Sequence, residues 1–469
     1  MESSSQLRCF KAYDVRGKLW SELNQDIAYQ IAGAFASVMK CNLVVVGRDC
    51  RASSPILTAA LITGLIDQGC DVIDLGVAGT EEVYFATTHY DGCGGIEVTA
   101  SHNPIDYNGM KFVGSGSCPV SPQEWSRIKE LAMSSNLSHS KIKGKYRLEN
   151  PRFEYARKIV GFVDSTKIRP LRILVNPGNG VAGPAFAAIA SRLAAKGAKL
   201  DFIQINQNPD SSFPNGIPNP LLPQNQAQTG NAVVLHKADL GIAWDGDFDR
   251  CFLFDENGRM IEGEYIVALL ASSFLLNAPL ERIVHDTRLV MNIKSVLQKF
   301  SGISVVSKTG HSFVKQKMRD ANAIYGGELS AHHYFRDFMF CDSGMIPWLK
   351  VIEQMSIAES SLSNLVQFMR NSYPSSGERN FLVTSSEATI DHIFYKLGKD
   401  AKSTERFDGL SLEFDDWRMN LRSSNTEPLL RLNVETFQDK QKVEDCVELI
   451  RNLIVEVENR PLTALLHKS

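Results

Sequence analysis

Short apolar runs alternate with helical patterns along most of the 469-residue chain, and this alternation restricts the possible folds more than any other feature. In the first third, strand-like runs occur at residues 43–47, 72–75 and 95–99, and helical patterns occur at 27–39 and 55–68. Such a series is typical of a sheet whose strands are joined by crossover helices. Residues 1–149 are therefore predicted to form an α/β domain.

The same alternation occurs twice more, which fits a prior of about one domain per 150 residues. A strand-like run at 172–175 precedes an alanine-rich helix, and a second at 238–243 leads into an acidic loop. A third series starts near residue 261, with helices at 265–276 and 292–300 and a strand at 282–284. We expect α/β domains with mixed sheets at residues 150–257 and 258–371.

The pattern changes from about residue 372. A turn-rich stretch at 374–377 is expected to be a linker, followed by short strands at 411–414 and 429–434 and a closing helix at 440–456. This predicts a smaller α+β domain at residues 372–469. The segment 209–229, rich in Pro, Asn and Gln, is expected to be a long surface loop without chemistry of its own.

Composition excludes several classes of function. A net charge of −3 and a pI near 6.4 predict neither nucleic acid nor an anionic membrane as partner. Nine cysteines without a C-x-x-C pair predict reduced thiols with no disulfide framework and no zinc site. The first residues lack an apolar secretory region, and the apolar stretch at 265–280 is too short to span a bilayer. A cytoplasmic location is therefore expected.

An acidic loop follows the strand-like run at 238–243. Asp245, Asp247 and Asp249 emerge at a strand end, where α/β proteins place ligands, and three carboxylates at alternate positions can converge on one Mg²⁺. An acidic surface turn is the plain alternative. An EF-hand is excluded because Arg250 stands where that loop requires Gly. A phosphatase with Asp245 as nucleophile is a further alternative, but it leaves the serine loop described next unexplained.

A serine and a lysine stand out after the strand-like run at 95–99. Ser101 and His102 precede an Asn-Pro turn, which would expose the hydroxyl on a stiff loop. Lys111 follows closely enough to fold back beside Ser101 as a cation or proton carrier. A hydrogen-bonded loop serine is the alternative, because adjacency of Ser and His in sequence does not make a catalytic pair.

Two later segments have the composition of phosphate and sugar sites. Residues 422–427, with Arg431 beyond them, combine guanidinium groups with hydroxyl and amide donors, as a phosphate dianion requires. A capped polar loop is the alternative there. Glu328 and Ser330, near a glycine turn, are suited to vicinal sugar hydroxyls. His332 and His333 are adjacent on a strand and would point to opposite faces, which argues against shared metal ligation.

In this order, the four segments 99–104, 245–250, 327–330 and 422–426 resemble the serine, metal, sugar and phosphate loops of the α-D-phosphohexomutase family. The segments 10–17 and 47–51 also resemble family signatures, so the resemblance covers nearly the whole chain. Phe248 and Leu329 depart from residues common in the family, but neither change removes a polar or charged group. The resemblance implies four domains around one cleft.

The resemblance also implies roles for individual residues. Phosphorylated Ser101 would exchange its phosphoryl group with a hexose phosphate through a hexose 1,6-bisphosphate, which also serves as activator, with Mg²⁺ bound by the phosphoserine and the three aspartates. His102, Lys111, Arg250 and Arg16 would act beside the phosphoserine. The expected substrate contacts are Tyr13, Arg288, His311, Glu328, Ser330, His332, Arg422, Ser424, Asn425, Thr426 and Arg431. Arg288 has a plain alternative as a surface arginine.

Within the family, segments 328–335, 341–345 and 422–428 are most similar to bacterial members that act on mannose phosphates and supply nucleotide-sugar synthesis. An enzyme that acts on glucose phosphates, or on both sugars, is the main alternative. A non-catalytic hexose-phosphate-binding protein is more remote, because it would be expected to lack Ser101 or one of the aspartates. The expected partners are small hexose phosphates, and the sequence does not indicate an oligomeric state.

Overall fold

The protein is described by a computed structural model that covers residues 8–134, 137, 139–424 and 429–459. Its first segment is an α/β domain. Its elements are β1 (Val15–Lys18), α1 (Gln25–Met39), β2 (Leu43–Arg48), α2 (Ser54–Asp67), β3 (Asp71–Val77), α3 (Thr80–His89), β4 (Gly94–Val98), β5 (Tyr107–Gly114), α4 (Pro122–Ser134) and β6 (Tyr146–Leu148).

The strands of this segment form one six-stranded mixed sheet in the order β1-β5-β4-β2-β3-β6. Strand β2 is parallel to β3 and β4, with Val46 opposite Ile96, whereas β5 is antiparallel to β1 and β4. The apolar runs seen in the sequence are buried because helices cover them, with Phe35 of α1 among the core residues. Asn24 caps α1 by accepting a hydrogen bond from the backbone N–H of Ile27.

The second segment is also α/β. Its elements are α5 (Arg152–Val160), β7 (Leu171–Asn176), α6 (Ala182–Ala195), β8 (Leu200–Gln204), α7 (Pro223–His236), β9 (Leu240–Trp244) and β10 (Cys251–Phe254). The sheet order is β10-β9-β7-β8, with β7 parallel to β8 and β9 and with β10 antiparallel to β9. The acidic loop 245–250 therefore connects the two strands of a hairpin.

The third segment contains both parallel and antiparallel pairs. Its elements are α8 (Gly263–Leu275), β11 (Arg282–His285), α9 (Met291–Lys299), β12 (Ile303–Val306), α10 (His311–Asp320), β13 (Tyr325–Gly327), β14 (His333–Phe335), β15 (Cys341–Asp342), α11 (Ile346–Ile357) and α12 (Leu362–Ser372). Strand β11 is parallel to β12, and β14 is antiparallel to β15.

The last segment is an antiparallel sheet with two helices. Its elements are β16 (Ser375–Leu382), α13 (Ser386–Leu397), β17 (Ser403–Glu405), β18 (Leu410–Glu413), β19 (Trp417–Ser423), β20 (Leu429–Thr436) and α14 (Lys440–Glu458). The order is β16-β20-β19-β18-β17, and Leu432 of β20 and Ile450 of α14 belong to one core. The predicted class, three α/β domains with mixed sheets and a smaller α+β domain, is confirmed.

The chain divides into two compact units that are discontinuous in sequence. Unit 1 contains the residues up to Ile261 together with Met318–Tyr325 and Ser330–Ser363. Unit 2 contains Glu262–Lys317, Gly326–Leu329 and the residues from Asn364 onward. The third segment therefore contributes to both units. Among the described residues, no helix combines the length and the apolar character needed to cross a membrane.

Two expectations about secondary structure are wrong. Residues 375–377 belong to β16 rather than to a linker, because a register shift between Ser375 and Glu378, with Gly377 at φ 60°, lets the turn-forming residues join the strand as a bulge. Residues 223–229 form the first half of α7 rather than the end of a loop. Pro223 stands at the start of that helix, where a missing N–H costs nothing.

The expectation of nine reduced thiols is wrong for one pair. The structure joins Cys41 and Cys93 in a disulfide with Cα atoms 5.4 Å apart. Cys41 lies two residues before β2 and Cys93 lies directly before β4, and these strands are paired in parallel, with Val44 opposite Gly94. Strand pairing therefore brings together two residues that are 52 positions apart in the sequence.

Candidate catalytic site

Ser101 lies in the loop between β4 and β5 and is 2% exposed. Its backbone has a φ of 51°, in the left-handed region that a residue with a Cβ rarely adopts. The side chain of Thr99 accepts a hydrogen bond from the Ser101 N–H at 2.8 Å. The Ser101 hydroxyl donates to the Asp245 carboxylate at 2.8 Å and lies 3.0 Å from Nδ1 of His102. The loop thus directs the serine hydroxyl at the acidic hairpin.

The carboxylates of Asp245, Asp247 and Asp249 are buried together in the turn between β9 and β10. Each offers an oxygen within 4.8 Å of the other two, and no aspartate is more than 1% exposed. Gly246 lets this turn approach the serine loop, because a Cβ there would stand 2.6 Å from the backbone oxygen of Ser101. The close approach of the two loops therefore depends on the absence of a side chain at position 246.

Lys111 of β5 neutralises part of this acidic cluster. Its ammonium donates to Asp247 at 2.6 Å and also to Asp249. Burial favours the neutral amine, but the carboxylates of Asp247 and Asp249 outweigh it and hold the pKa of Lys111 above its ordinary value. Burial, together with the neighbouring Asp249 and Asp247, raises the pKa of Asp245 to about 8. One lysine therefore does not balance three buried carboxylates.

The residues fit a divalent cation. Within the described part of the chain, Oδ1 of Asp247 and Oδ1 of Asp249 are buried without a hydrogen-bond partner. Buried carboxylate oxygens without partners are costly, and a hard cation with oxygen ligands removes that cost and the mutual repulsion. The serine hydroxyl on Asp245 would place a fourth oxygen beside the same cluster.

Four further cationic or polar side chains lie around the acidic loop and the serine loop in unit 1. Nε of Arg250 donates to Nε2 of His332 at 3.2 Å and lies 3.6 Å from the Asp245 carboxylate. Ser330 Oγ is 3.1 Å from the other ring nitrogen of His332. Arg16 of β1 donates to the backbone oxygen of Ala100, so it reaches the serine loop from the opposite strand.

The adjacent histidines point apart, as expected for neighbours on a strand. His332 contacts Arg250, whereas Nδ1 of His333 is 2.7 Å from the hydroxyl of Tyr325. Burial, with Arg250 and Arg16 nearby, lowers the pKa of His102 well below its ordinary value. The imidazole beside Ser101 is therefore neutral at pH 7.

Unit 2 carries a separate cluster of arginines around one glutamate. Glu378 of β16 accepts hydrogen bonds from Arg422 at 3.1 Å and Arg431 at 3.3 Å, and it lies 3.8 Å from Arg288. Arg422 and Arg431 are direct cross-strand partners on β19 and β20. In the described residues, Nε of each of these two arginines has no hydrogen-bond partner. These two guanidinium groups therefore have hydrogen-bonding capacity that the described residues do not use.

Glu328 is buried in the same unit beside the start of α10. It accepts a hydrogen bond from the Gly310 N–H at 2.8 Å and lies 4.0 Å from Arg288, and His311 follows Gly310 as a buried residue. Arg288 is 4% exposed and pairs with Asp286 at 2.5 Å, so the alternative of a plain surface arginine is wrong.

The predicted site residues form two main groups, one in each unit. Ser101, Lys111 and the three aspartates meet in unit 1, and Arg288, Glu328, Arg422 and Arg431 lie in unit 2. Tyr13 is half-buried in the turn before β1, and Ser424 follows β19. The predicted substrate contacts Asn425 and Thr426 lie outside the described residues.

Sequence reasoning missed three charged residues of these clusters. Asp286 and Glu378 hold the arginines of unit 2, and Arg51 binds the serine loop in unit 1. Only Arg51 gave a signal, as part of the glycine-arginine-aspartate segment at 47–51. Glu378 directly follows the predicted linker at 374–377, and nothing near Asp286 distinguishes it from a surface turn in the sequence.

Comparison with protein families supports one assignment for the whole chain. Family models described as phosphoglucomutase/phosphomannomutase, alpha/beta/alpha domains I, II and III, match residues 7–138, 153–258 and 262–372. The model for the C-terminal domain of the same family matches residues 380–453.

Individual relatives agree with this match. The chain is 50% identical to the phosphomannomutase of Salmonella typhimurium over 438 residues, which cover 93% of this chain and 96% of that protein. It is 48% identical to a phosphomannomutase of Escherichia coli K12 over 96% of this chain and 100% of that one. The crystal structure of a phosphoglucomutase/phosphomannomutase family protein from Burkholderia thailandensis superposes with a TM-score of 0.86 at 29% identity, covering 98% and 100% of the two chains.

Proposed function

Because the chain belongs to the phosphoglucomutase/phosphomannomutase family, we propose that it is a phosphomannomutase, which interconverts mannose 6-phosphate and mannose 1-phosphate for nucleotide-sugar synthesis. The observation that best supports this proposal is the Ser101 hydroxyl, directed at a buried cluster of three aspartates beside a lysine. The names of the relatives that are about half identical support the choice of mannose.

In the proposed reaction, phosphorylated Ser101 transfers its phosphoryl group to the free hydroxyl of a hexose phosphate. The bond from phosphorus to the sugar oxygen forms, the bond from phosphorus to Ser101 Oγ breaks, the sugar hydroxyl gives its proton to a base, and Ser101 Oγ takes up a proton. The neutral His102, 3.0 Å from Oγ, is our candidate for the base that takes the proton from Ser101 Oγ when the serine attacks the bisphosphate in the return step. The product, hexose 1,6-bisphosphate, then returns its other phosphoryl group to Ser101 after it has turned around.

We propose that Asp245, Asp247 and Asp249, with an oxygen of the phosphoserine, hold Mg²⁺. When bound, the ion neutralises charge that develops on the transferring phosphoryl group. The ammonium of Lys111 and the guanidinium of Arg250 lie next to these carboxylates. Arg16 holds the serine loop by donating a hydrogen bond to the backbone oxygen of Ala100. Hexose 1,6-bisphosphate is the proposed activator because it can phosphorylate Ser101.

The proposed substrate contacts divide by chemistry. Arg422 and Arg431, with Ser424, Asn425 and Thr426, would bind the phosphate that does not react, because guanidinium groups pair with phosphate oxygens in a bidentate manner. Glu328 and Ser330 would bind sugar hydroxyls. Arg288, His311, His332 and Tyr13 are proposed to line the substrate site.

The test is a coupled assay that compares mannose 1-phosphate with glucose 1-phosphate, in the presence of Mg²⁺ and a trace of hexose 1,6-bisphosphate. We expect a higher kcat/KM for mannose 1-phosphate, and a loss of at least about 10³-fold in kcat for Ser101→Ala. Ser115→Ala, which changes an exposed serine in the same domain, is the matched control and should retain activity.

Other results would change the assignment. A higher kcat/KM for glucose 1-phosphate would replace phosphomannomutase with phosphoglucomutase, and similar values would indicate an enzyme of dual specificity. If the wild-type protein turned over neither sugar phosphate, the proposed activity would be wrong, and a binding protein for hexose phosphates would remain.

A further inference from the structure

Arg51 is a buried arginine, 1% exposed, that binds the backbone of the serine loop at four points. One terminal nitrogen of its guanidinium donates to the backbone oxygens of Pro104 at 2.8 Å and Tyr107 at 3.2 Å. The other donates to the backbone oxygens of Ser101 at 2.9 Å and Asn103 at 2.6 Å. A single planar group therefore sets the path of the loop from Ser101 to Tyr107.

The guanidinium is itself held from two other sides. Its Nε lies 3.4 Å from the carboxylate of Asp49, and Asp49 is fixed in turn by a 2.5 Å hydrogen bond from the Ser54 hydroxyl. The centre of the guanidinium lies 5.7 Å from the centre of the Phe213 ring. Carboxylate, ring and carbonyl groups all suit a planar cation with donors at fixed angles, and an ammonium cannot make the same set of contacts.

Phe213 belongs to the segment 209–229, which the sequence predicts to be a surface loop without chemistry of its own. Its ring is 6% exposed, and its backbone has a φ of 45°. Amide side chains support this segment: Asn215 donates to Asn179 at 2.9 Å and to Asn206 at 2.9 Å. The Asn-rich part of the second domain thus holds the Phe213 ring against Arg51 of the first domain, and both lie in unit 1.

We propose that Arg51 is a positioning residue for phosphoryl transfer, and that the segment around Phe213 serves to hold it. This proposal rests on the proposed function, and it deepens the account of the same site. Arg51 acts through backbone oxygens and does not touch the Ser101 hydroxyl. The left-handed backbone of Ser101 is an uncommon conformation that persists only where surrounding contacts over-determine it, and Arg51 supplies such a contact at its carbonyl.

The first test separates kcat from KM in Arg51→Met and Arg51→Lys. We expect kcat to fall by about 10- to 100-fold in both variants, because small displacements of a reacting group have effects of that size. KM should stay within about twofold, because Arg51 is not a proposed substrate contact. The lysine variant retains the charge but lacks the planar fork, so wild-type kcat in Arg51→Lys would overturn the proposal.

Two controls keep the test decisive. Arg172→Met, which changes a half-exposed arginine of β7, should leave kcat unchanged. Phe213→Leu should lower kcat in the same direction as Arg51→Lys but less, and it provides a second variant if Arg51→Met does not fold. A rise in KM with normal kcat would also contradict a positioning role.

Amide hydrogen exchange supplies a readout that does not depend on activity. In Arg51→Lys we expect the amides of residues 100–107 to exchange at least about 10-fold faster, with exchange in the second sheet unchanged. If the wild-type protein has no mutase activity but this local change occurs, the proposed function fails while Arg51 still orders the loop. Unchanged exchange in the loop would overturn the role of Arg51.

Discussion

The three buried carboxylates beside Ser101 determine much of the behaviour of the site at the scale of single residues. Burial and two like charges raise the pKa of Asp245 to about 8, so without a cation the ionised form of this group is disfavoured. A divalent cation reverses that preference, because it favours the ionised form. Metal binding and the charge of Asp245 are therefore coupled.

Asp245→Asn should abolish stabilisation by Mg²⁺. At 100 times its Kd, Mg²⁺ is expected to raise the free energy of unfolding of the wild-type protein by about 2.7 kcal/mol. The neutral amide resembles the protonated acid, so stability in EDTA at pH 7 should change by less than about 1 kcal/mol. Thermal melts with Mg²⁺ and with EDTA test both points, with Asp400→Asn as the surface control. A full Mg²⁺ effect in Asp245→Asn would contradict the proposed metal site.

Glu81 gives a pH-dependent stability that does not involve the site. It is fully buried, accepts a hydrogen bond from the Tyr155 hydroxyl, and has a pKa that burial raises to about 8. Because the folded protein favours the protonated form, this contribution is complete below about pH 4.5 and is lost as the pH rises through about 8.

Glu81→Gln should therefore flatten the decline in stability between about pH 5 and 8, by on the order of 3 kcal/mol over that range. Urea unfolding at about pH 5, 6.5 and 8 measures this, with Glu130→Gln on the exposed side of α4 as the control. The same slope in Glu81→Gln and wild type would show that Glu81 does not titrate in this range.

Some site residues could be singled out from the sequence, and others could not. Asp245, Asp247 and Asp249 follow a recognisable strand, so their convergence was expected from local pattern. Arg51 was visible only as part of a signature, because its partners are backbone oxygens 50 or more positions away. Every residue has a backbone oxygen, so contacts to backbone oxygens cannot be recognised from residue types in the sequence.

Two loops define the site at the scale of elements, the turn between β9 and β10 and the loop between β4 and β5. Gly246 is the point at which the turn meets the loop, and any side chain there would press on the oxygen of Ser101. The strands on either side are buried and cannot shift easily. The adjustment to a larger residue must therefore occur in the loops themselves.

Gly246→Ala should lower kcat by about 100-fold, because the new methyl group displaces Ser101 from the aspartates. Overpacking should also reduce the free energy of unfolding by about 1–3 kcal/mol. Gly92→Ala is the matched control, since a Cβ there would have its nearest neighbour at 3.4 Å. Steady-state kinetics and thermal melts measure both effects, and a kcat within twofold of wild type would contradict the tight contact.

The error in the predicted linker at residues 374–377 has a long-range cause. The stretch 374–377 has the composition of a turn, and it does turn, but as a bulge inside β16. Pairing with β20, more than 50 residues away, decides that outcome. Strands whose apolar run was continuous, such as β2 and β9, were predicted nearly to their ends because burial on both faces leaves a pattern in the sequence itself.

At the scale of the whole molecule, the order of the four segments was predictable, but their division into two units was not. Unit 1 requires residues from beyond position 317. The indole N–H of Trp244 donates to the oxygen of Gly344 at 2.8 Å, and the ring of Phe186 lies 5.9 Å from that of Trp348. Contacts of this kind depend on tertiary packing and have no periodicity to reveal them.

A fragment of residues 1–261 is therefore expected not to unfold cooperatively. It lacks Trp348, which is fully buried in the complete unit, and it would expose the apolar surface that packs against that ring. Differential scanning calorimetry of the fragment and of the full chain tests this. A sharp transition in the fragment, with an enthalpy in proportion to its length, would contradict the discontinuous unit.

The interleaving of the two units also sets an order of events during synthesis. A ribosome releases the chain from its first residue onward, and domains made of continuous sequence can fold as they emerge. Unit 1 cannot do so, because its last residues are made only at Ser363, after all of the first part of unit 2, Glu262–Lys317. The nascent first half must therefore wait, with unfinished apolar surfaces, which is the period when chaperones would be needed most.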